Sequence, residues 1–143
     1  MLIFFSHCTA PTDEVLESLG TFSEKEYYTS GGFQDYTDYA KYTYNDVQLE
    51  GNPHFSRITE DEAVEFGLYV DDFENWIETI RSVDPENDVV VNYDFDRSII
   101  NDDDYIYIYD ASVDRSLYSK FGNYDVYFFD TETQTLYYFH NNI

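Results

Sequence analysis

Acidic side chains are the most abundant functional groups in this chain, with 30 Asp and Glu among 143 residues against 7 Lys and Arg. Three chemistries use carboxylates at close spacing: acid/base catalysis, calcium binding, and presentation of negative charge to a basic partner. Catalysis is the least specific of the three. Glycosidase-type work needs only two carboxyl groups a few ångströms apart, and thirty acids supply such pairs by chance. No glycine-rich phosphate loop, serine elbow or metalloprotease helix accompanies them. His7, His54 and His140 are scattered and lack metal-site spacing. Cys8 stands alone, so no disulfide forms within the chain; it is expected to be a small buried apolar residue, in keeping with a reducing cytoplasm. These features argue against an enzyme and imply no cofactor.

Two groups of acids are the candidate sites. The first is helical: Glu60, Asp61, Glu62 and Glu65, then Asp71, Asp72, Glu74 and Glu78. Asp61 and Glu65, and likewise Glu74 and Glu78, are four apart, which stacks them about 6 Å along a helix axis. Like charges at that spacing mildly destabilise a helix, so local structure does not call for them. DNA carries a phosphate about every 3.4 Å along each strand, and acid-lined helices can offer a comparable line of charge. The second group, Asp102, Asp103 and Asp104, is expected in a loop between strands. Such a loop can bind calcium through its oxygens, although the EF-hand pattern of glycine and glutamate is absent.

The formal charge is −23, while charged residues are an ordinary 26% of the chain. Self-repulsion at that imbalance costs stability. Disorder does not account for it, because hydrophobic residues make up 43% and aromatics 20%, including 16 Tyr and 12 Phe. Tyrosine beside aspartate is interface chemistry: an apolar ring, a hydroxyl, and a face on which arginine stacks. Direct nucleic-acid binding is excluded by repulsion. The expected partner is a basic protein.

The elements that position these groups form one α+β domain: an antiparallel sheet with short helices packed on it and a C-terminal hairpin. Leu2–Phe5 reads as a strand rather than a signal peptide. Pro11–Leu19 reads as a helix closed by Gly20. Glu26–Thr29 reads as a strand, and Gln34–Tyr44, with Tyr36, Tyr39, Tyr42 and Tyr44, as a helix or as irregular structure. Thr59 and Glu62 make a capping box that opens a short helix ending at Gly67. Asp71 caps a second helix, whose stripe of Phe73, Trp76, Ile77 and Ile80 is buried. Val89–Phe95 alternates like a half-buried strand, and Tyr105–Tyr109 is another. Val113, Leu117, Tyr118 and Phe121 make a helical stripe with Gly122 after its end. Tyr124–Phe129 and Thr135–His140 form a hairpin across a loop of five residues. No apolar run approaches the roughly 20 residues of a membrane span.

Small size, an acidic surface, abundant Tyr and Phe, and helices lined by Glu60–Glu65 and Asp71–Glu78 together resemble the DNA-mimic inhibitors of phages and mobile elements, of the anti-restriction and anti-CRISPR type. The resemblance is one of class and carries no family motif. It implies an inhibitor in the host-cell cytoplasm, often a homodimer, that occupies the basic nucleic-acid groove of a defence enzyme. An immunity protein for a basic nuclease toxin, a halophile's acidic surface and a calcium-binding module are the alternative expectations.

Overall fold

The computed structural model describes residues 11–31, 35–114 and 120–143. The elements run α1 (Pro11–Leu19), β1 (Glu24–Thr29), β2 (Tyr36–Thr43), β3 (Ser56–Arg57), α2 (Glu60–Val83), α3 (Asp88–Asn92), a 3-10 turn (Arg97–Ile99), β4 (Tyr105–Asp110), α4 (Ala111–Asp114), β5 (Asn123–Asp130) and β6 (Thr135–Asn142). The strands make one antiparallel sheet in the order β1-β2-β6-β5-β4-β3. The expected α+β architecture and its C-terminal hairpin are borne out. The hairpin loop, Thr131–Gln134, is one residue shorter than expected because Asp130 still pairs with Thr135. The anticipated strand Leu2–Phe5, together with His7 and Cys8, lies outside the described residues.

Side-chain alternation gives the sheet two apolar faces. Tyr124, Val126 and Phe128 of β5 pack with Phe66, Val70, Phe73 and Ile77 of α2. Tyr127 and Phe129 of the same strand pack on the opposite side with Val15 and Leu19 of α1 and with Leu49 and Phe55. The two central strands β5 and β6 are therefore sandwiched, and α2 is the element that closes one side.

Four expectations are corrected. Residues 36–43 are a strand, not a helix. Tyr39 belongs to the cluster under α2, while Ala40 and Tyr42 belong to the cluster under α1. A strand buried on both faces shows no polar alternation, and its threefold tyrosine spacing imitates a helix.

The two short helices are one helix of 24 residues. Gly67 does not end it, because Phe66, Tyr69, Val70, Phe73 and Ile77 form one continuous buried stripe across the glycine. That burial outweighs the roughly 1 kcal/mol by which a glycine weakens a helix interior. Asp71 therefore sits in mid-helix rather than at a cap. The capping box at its start is present as expected, with Thr59 Oγ1 accepting from Glu62 N–H at 3.3 Å and Glu62 Oε1 accepting from Thr59 N–H at 3.2 Å.

Residues 88–92 form the short helix α3, not a strand. Asn87 Oδ1 accepts from the Val89 N–H at 3.1 Å, and adjacent Val89 and Val90 are both buried while Val91 is exposed. A strand would have turned neighbours to opposite faces. Finally, α4 covers only Ala111–Asp114 among the described residues, Val113 is exposed, and the left-handed position belongs to Phe121 (φ 78°) rather than Gly122. Leu117 and Tyr118 lie outside the described residues.

Candidate interaction surface

The helical acids fall on two flanks of α2 rather than along one line. At about 100° per residue, Asp71, Glu74 and Glu78 share one flank, and Asp61, Glu65 and Asp72 share the other. The crest between them carries exposed Val64 and Leu68. On the first flank, Arg97 bridges Asp71 at 2.7 Å and Glu74 at 3.0 Å, and Glu78 pairs with Arg81. On the second, Glu65 pairs with Lys120 at 2.9 Å, and Asp72 accepts from the Tyr124 hydroxyl at 2.8 Å. Glu62 is engaged in the capping box and by the Ser56 hydroxyl. Glu60 and Asp61 are exposed in the first turn, where the helix dipole favours them.

The second candidate group divides. Asp102 and Asp103 are exposed, and Arg57 holds both, with its Nε donating to the Asp102 carbonyl and its Nη2 to the Asp103 carboxylate. Asp104 is fully buried and faces inward, which corrects its assignment to an exposed surface. Its Oδ2 accepts from the Asn101 N–H, and its Oδ1 from the N–H and hydroxyl of Thr131. Burial pushes this carboxyl above its usual range against the pull of those donors. Asp104 thus ties the loop to the β5–β6 turn. Among the described residues, no group of three or more His, Cys, Asp or Glu is placed to hold a metal ion.

Tyrosine pairs with carboxylates across the fold, and among the candidate acids it takes Asp72 and Glu74. At least seven hydroxyls donate to carboxylates at 2.5–2.8 Å: Tyr27 to Asp38, Tyr28 to Glu26, Tyr39 to Asp94, Tyr69 to Asp110, Tyr93 to Glu74, Tyr124 to Asp72 and Tyr138 to Asp125. Such hydrogen bonds to an ionised acceptor are short and strong. A phenol holds the carboxylate in place and leaves its charge intact, whereas lysine or arginine would cancel it. The phenols respond in turn. Burial first, and then the bonded carboxylate, raise Tyr39, Tyr69, Tyr93 and Tyr124 far above their ordinary value. Tyr28, on the edge strand, is pushed up to about 12, chiefly by its bond to Glu26. Burial also raises Asp72, although the Tyr124 hydroxyl opposes the shift.

A connected acidic strip follows from these contacts. It runs from Asp71 and Glu74 through Tyr93, whose ring lies 4.9 Å from that of Tyr39, to Asp94, and then through Lys41 to Glu26 at the β1 edge. Burial works against ionisation of Asp94, but Lys41 at 2.6 Å and the Tyr39 hydroxyl outweigh it and hold the carboxyl below its usual range. Sequence reasoning left Glu26 and Asp94 out of the site, and likewise exposed Asp84, Glu86, Asp88 and Asp96. The signal available was the bare acid run after α2, in which no base follows Arg81 until Arg97.

The bases do not form a patch of their own. Of the six in described residues, Lys41, Arg57, Arg81, Arg97 and Lys120 are each in an ion pair, and Lys25 sits over the rings of Tyr27 and Tyr42. No helix among the described residues is long and apolar enough to cross a membrane. Compared with protein-family models, with curated proteins and with solved structures, the chain shows no match.

Proposed function

We propose that this chain is an inhibitor that presents a fixed array of carboxylates to the basic nucleic-acid groove of a DNA-binding enzyme, in the manner of a DNA mimic. The observation that carries the reading is the tyrosine–carboxylate pairing. Seven carboxylates are fixed in geometry by neutral phenol donors; Glu26, Glu74 and Asp94 among them also meet Lys41 or Arg97, so the strip of four acids and two bases keeps a net negative charge. A solubilising surface has no need of that, since freely rotating acids hydrate equally well. A basic groove shaped for phosphates does, because ordered charge avoids the entropy cost of fixing side chains on binding. The strip from Asp71 to Glu26, with the exposed acids of residues 84–88 beside it, is the surface assigned to the partner. Long-range attraction to a −23 molecule also speeds the encounter and makes it salt-sensitive.

The test uses a panel of enzymes with basic DNA grooves: a restriction endonuclease, a CRISPR effector and a uracil-DNA glycosylase. The protein is expected to leave free DNA unshifted in a gel, and to block DNA loading by one enzyme class when added first, less so as salt rises. Inhibition that persists after DNA is loaded would rule out groove occupation. Neutralisation of a single nuclease toxin, with every other DNA enzyme untouched, would point to an immunity protein.

A further inference from the structure

We infer that the open outer edge of β4 around Ile108 takes an extended, basic segment of a partner protein as an added antiparallel strand. The inference rests on the proposed reading in one respect, that the partner is basic. β4 pairs with β5 along all of Tyr105–Asp110, but β3 covers its other side only at Ser56–Ile106 and Arg57–Tyr105. The Ile58 N–H donates to the Asp104 carbonyl at 2.9 Å, so backbone groups two and four residues on, at Ile106 and Ile108, face the same outer side. Ser56 pairs with Ile106. No described residue pairs with Ile108 there.

The local reason is a turn that draws the chain away from the edge. Asn52 Oδ1 accepts the N–H groups of His54 at 2.7 Å and Phe55 at 3.0 Å, and Pro53 has none. The segment ahead of Ser56 therefore has no donor left for β4, and among the described residues this strand edge stays unpaired, which makes it a template for strand addition. The opposite edge differs. β1 exposes Glu24, Lys25 and Glu26, charges of the kind that guard an edge.

The surroundings select the occupant. Two adjoining clefts of about 260 Å³ flank the edge and share Glu65 and Ile108. Glu62 and His54 line one and Asp110 the other; the single Lys or Arg, Lys120, is already paired with Glu65. An added strand turns alternate side chains to opposite faces. One set meets Glu62 and Glu65 beneath α2, and the other lies along the rings of Tyr107 and Tyr109. Carboxylates and tyrosine rings both favour Lys or Arg. A second copy of this chain would bring more acid to an acidic cleft and is disfavoured.

The test is amide hydrogen exchange of the whole protein with a synthetic peptide of alternating Lys and Val. At saturation the Ile108 amide is expected to exchange at least tenfold more slowly, while the exposed amides of β1 keep their rates. An Ile108→Pro variant removes an outward-facing N–H without breaking the β5 ladder, and should weaken the peptide at least tenfold. Binding without protection of Ile108 would overturn strand addition and leave the charge-based reading intact. Equal protection by an alternating Thr and Val peptide would overturn the basic occupant. Failure of every peptide to bind would overturn the inference altogether. Protection of Ile108 in a protein that blocks no DNA enzyme would sink the proposed function and leave the edge site standing.

Discussion

Alkaline titration gives the most direct measure of the tyrosine–carboxylate pairs. Tyr39, Tyr69, Tyr93 and Tyr124 each combine burial with a bond to a carboxylate, so each resists becoming a phenolate in the fold. In the unfolded chain the same groups ionise near their ordinary value of 10.0. The folded pKa is the higher one, so the stability these groups contribute is complete below pH 10 and is lost as pH rises from there toward the folded values. Each tyrosine that ionises only on unfolding removes about 1.4 kcal/mol per pH unit. Four together remove about 5.5 kcal/mol per unit by the same relation. A domain with a typical stability of about 5–15 kcal/mol then unfolds between roughly pH 11 and 13. Phenolate absorbance and far-ultraviolet circular dichroism, followed together, should show two stages. Tyrosines whose hydroxyls are neither buried nor bonded to a carboxylate ionise first with the helix signal intact, and the remainder ionise in a steep step that coincides with its loss. A single smooth ionisation near pH 10 with the dichroism unchanged would refute the reasoning, since the hydroxyls would not be held. Tyr93→Phe and Tyr124→Phe should each make the step shallower by one tyrosine's share.

Further predictions concern charge, helix propensity and one histidine. Glu86→Lys, at an exposed position with no ion pair among the described residues, should change stability by less than about 0.5 kcal/mol and reduce the salt sensitivity of inhibition; joint reversal of Asp71, Glu74 and Glu78 to Lys should also lower the melting temperature, because Arg97 and Tyr93 lose their acceptors. Gly67→Ala should stabilise α2 by about 0.5–1 kcal/mol in chemical denaturation, since the added methyl meets nothing closer than Arg97 Nη1 at 3.9 Å. His140 lies in register between Asp38 of β2 and Asp125 of β5, with its Nδ1 2.9 Å from Asp125 Oδ1. Burial lowers its pKa, but the two aspartates and the Tyr124 carbonyl outweigh burial and raise it. Its contribution is therefore complete below the unfolded value of 6.5 and is lost as pH rises through the folded pKa, and His140→Gln should flatten the stability profile over that window.

Several parts of this architecture follow from local sequence. The capping box at Thr59–Glu62, the helix Pro11–Leu19 and the C-terminal hairpin depend on residues within a turn or a strand of one another, so their patterns survive in one dimension. Composition alone sets the −23 charge and the supply of phenols. Other features depend on what lies opposite. Residues 36–43 are a strand because β1 and β6 flank them, and two buried faces erase the alternation that would have announced it. The helix runs through Gly67 because the sheet beneath it rewards an unbroken apolar stripe. The pairing of acids was the least legible, since Tyr39 meets Asp94, Tyr69 meets Asp110 and Tyr124 meets Asp72 across 41 to 55 residues of chain. Only the tertiary structure separates Asp104, buried as a tie between turns, from its exposed neighbours Asp102 and Asp103. A carboxylate's role depends on whether its neighbour is water, a phenol or a guanidinium, and that neighbour comes from another part of the chain.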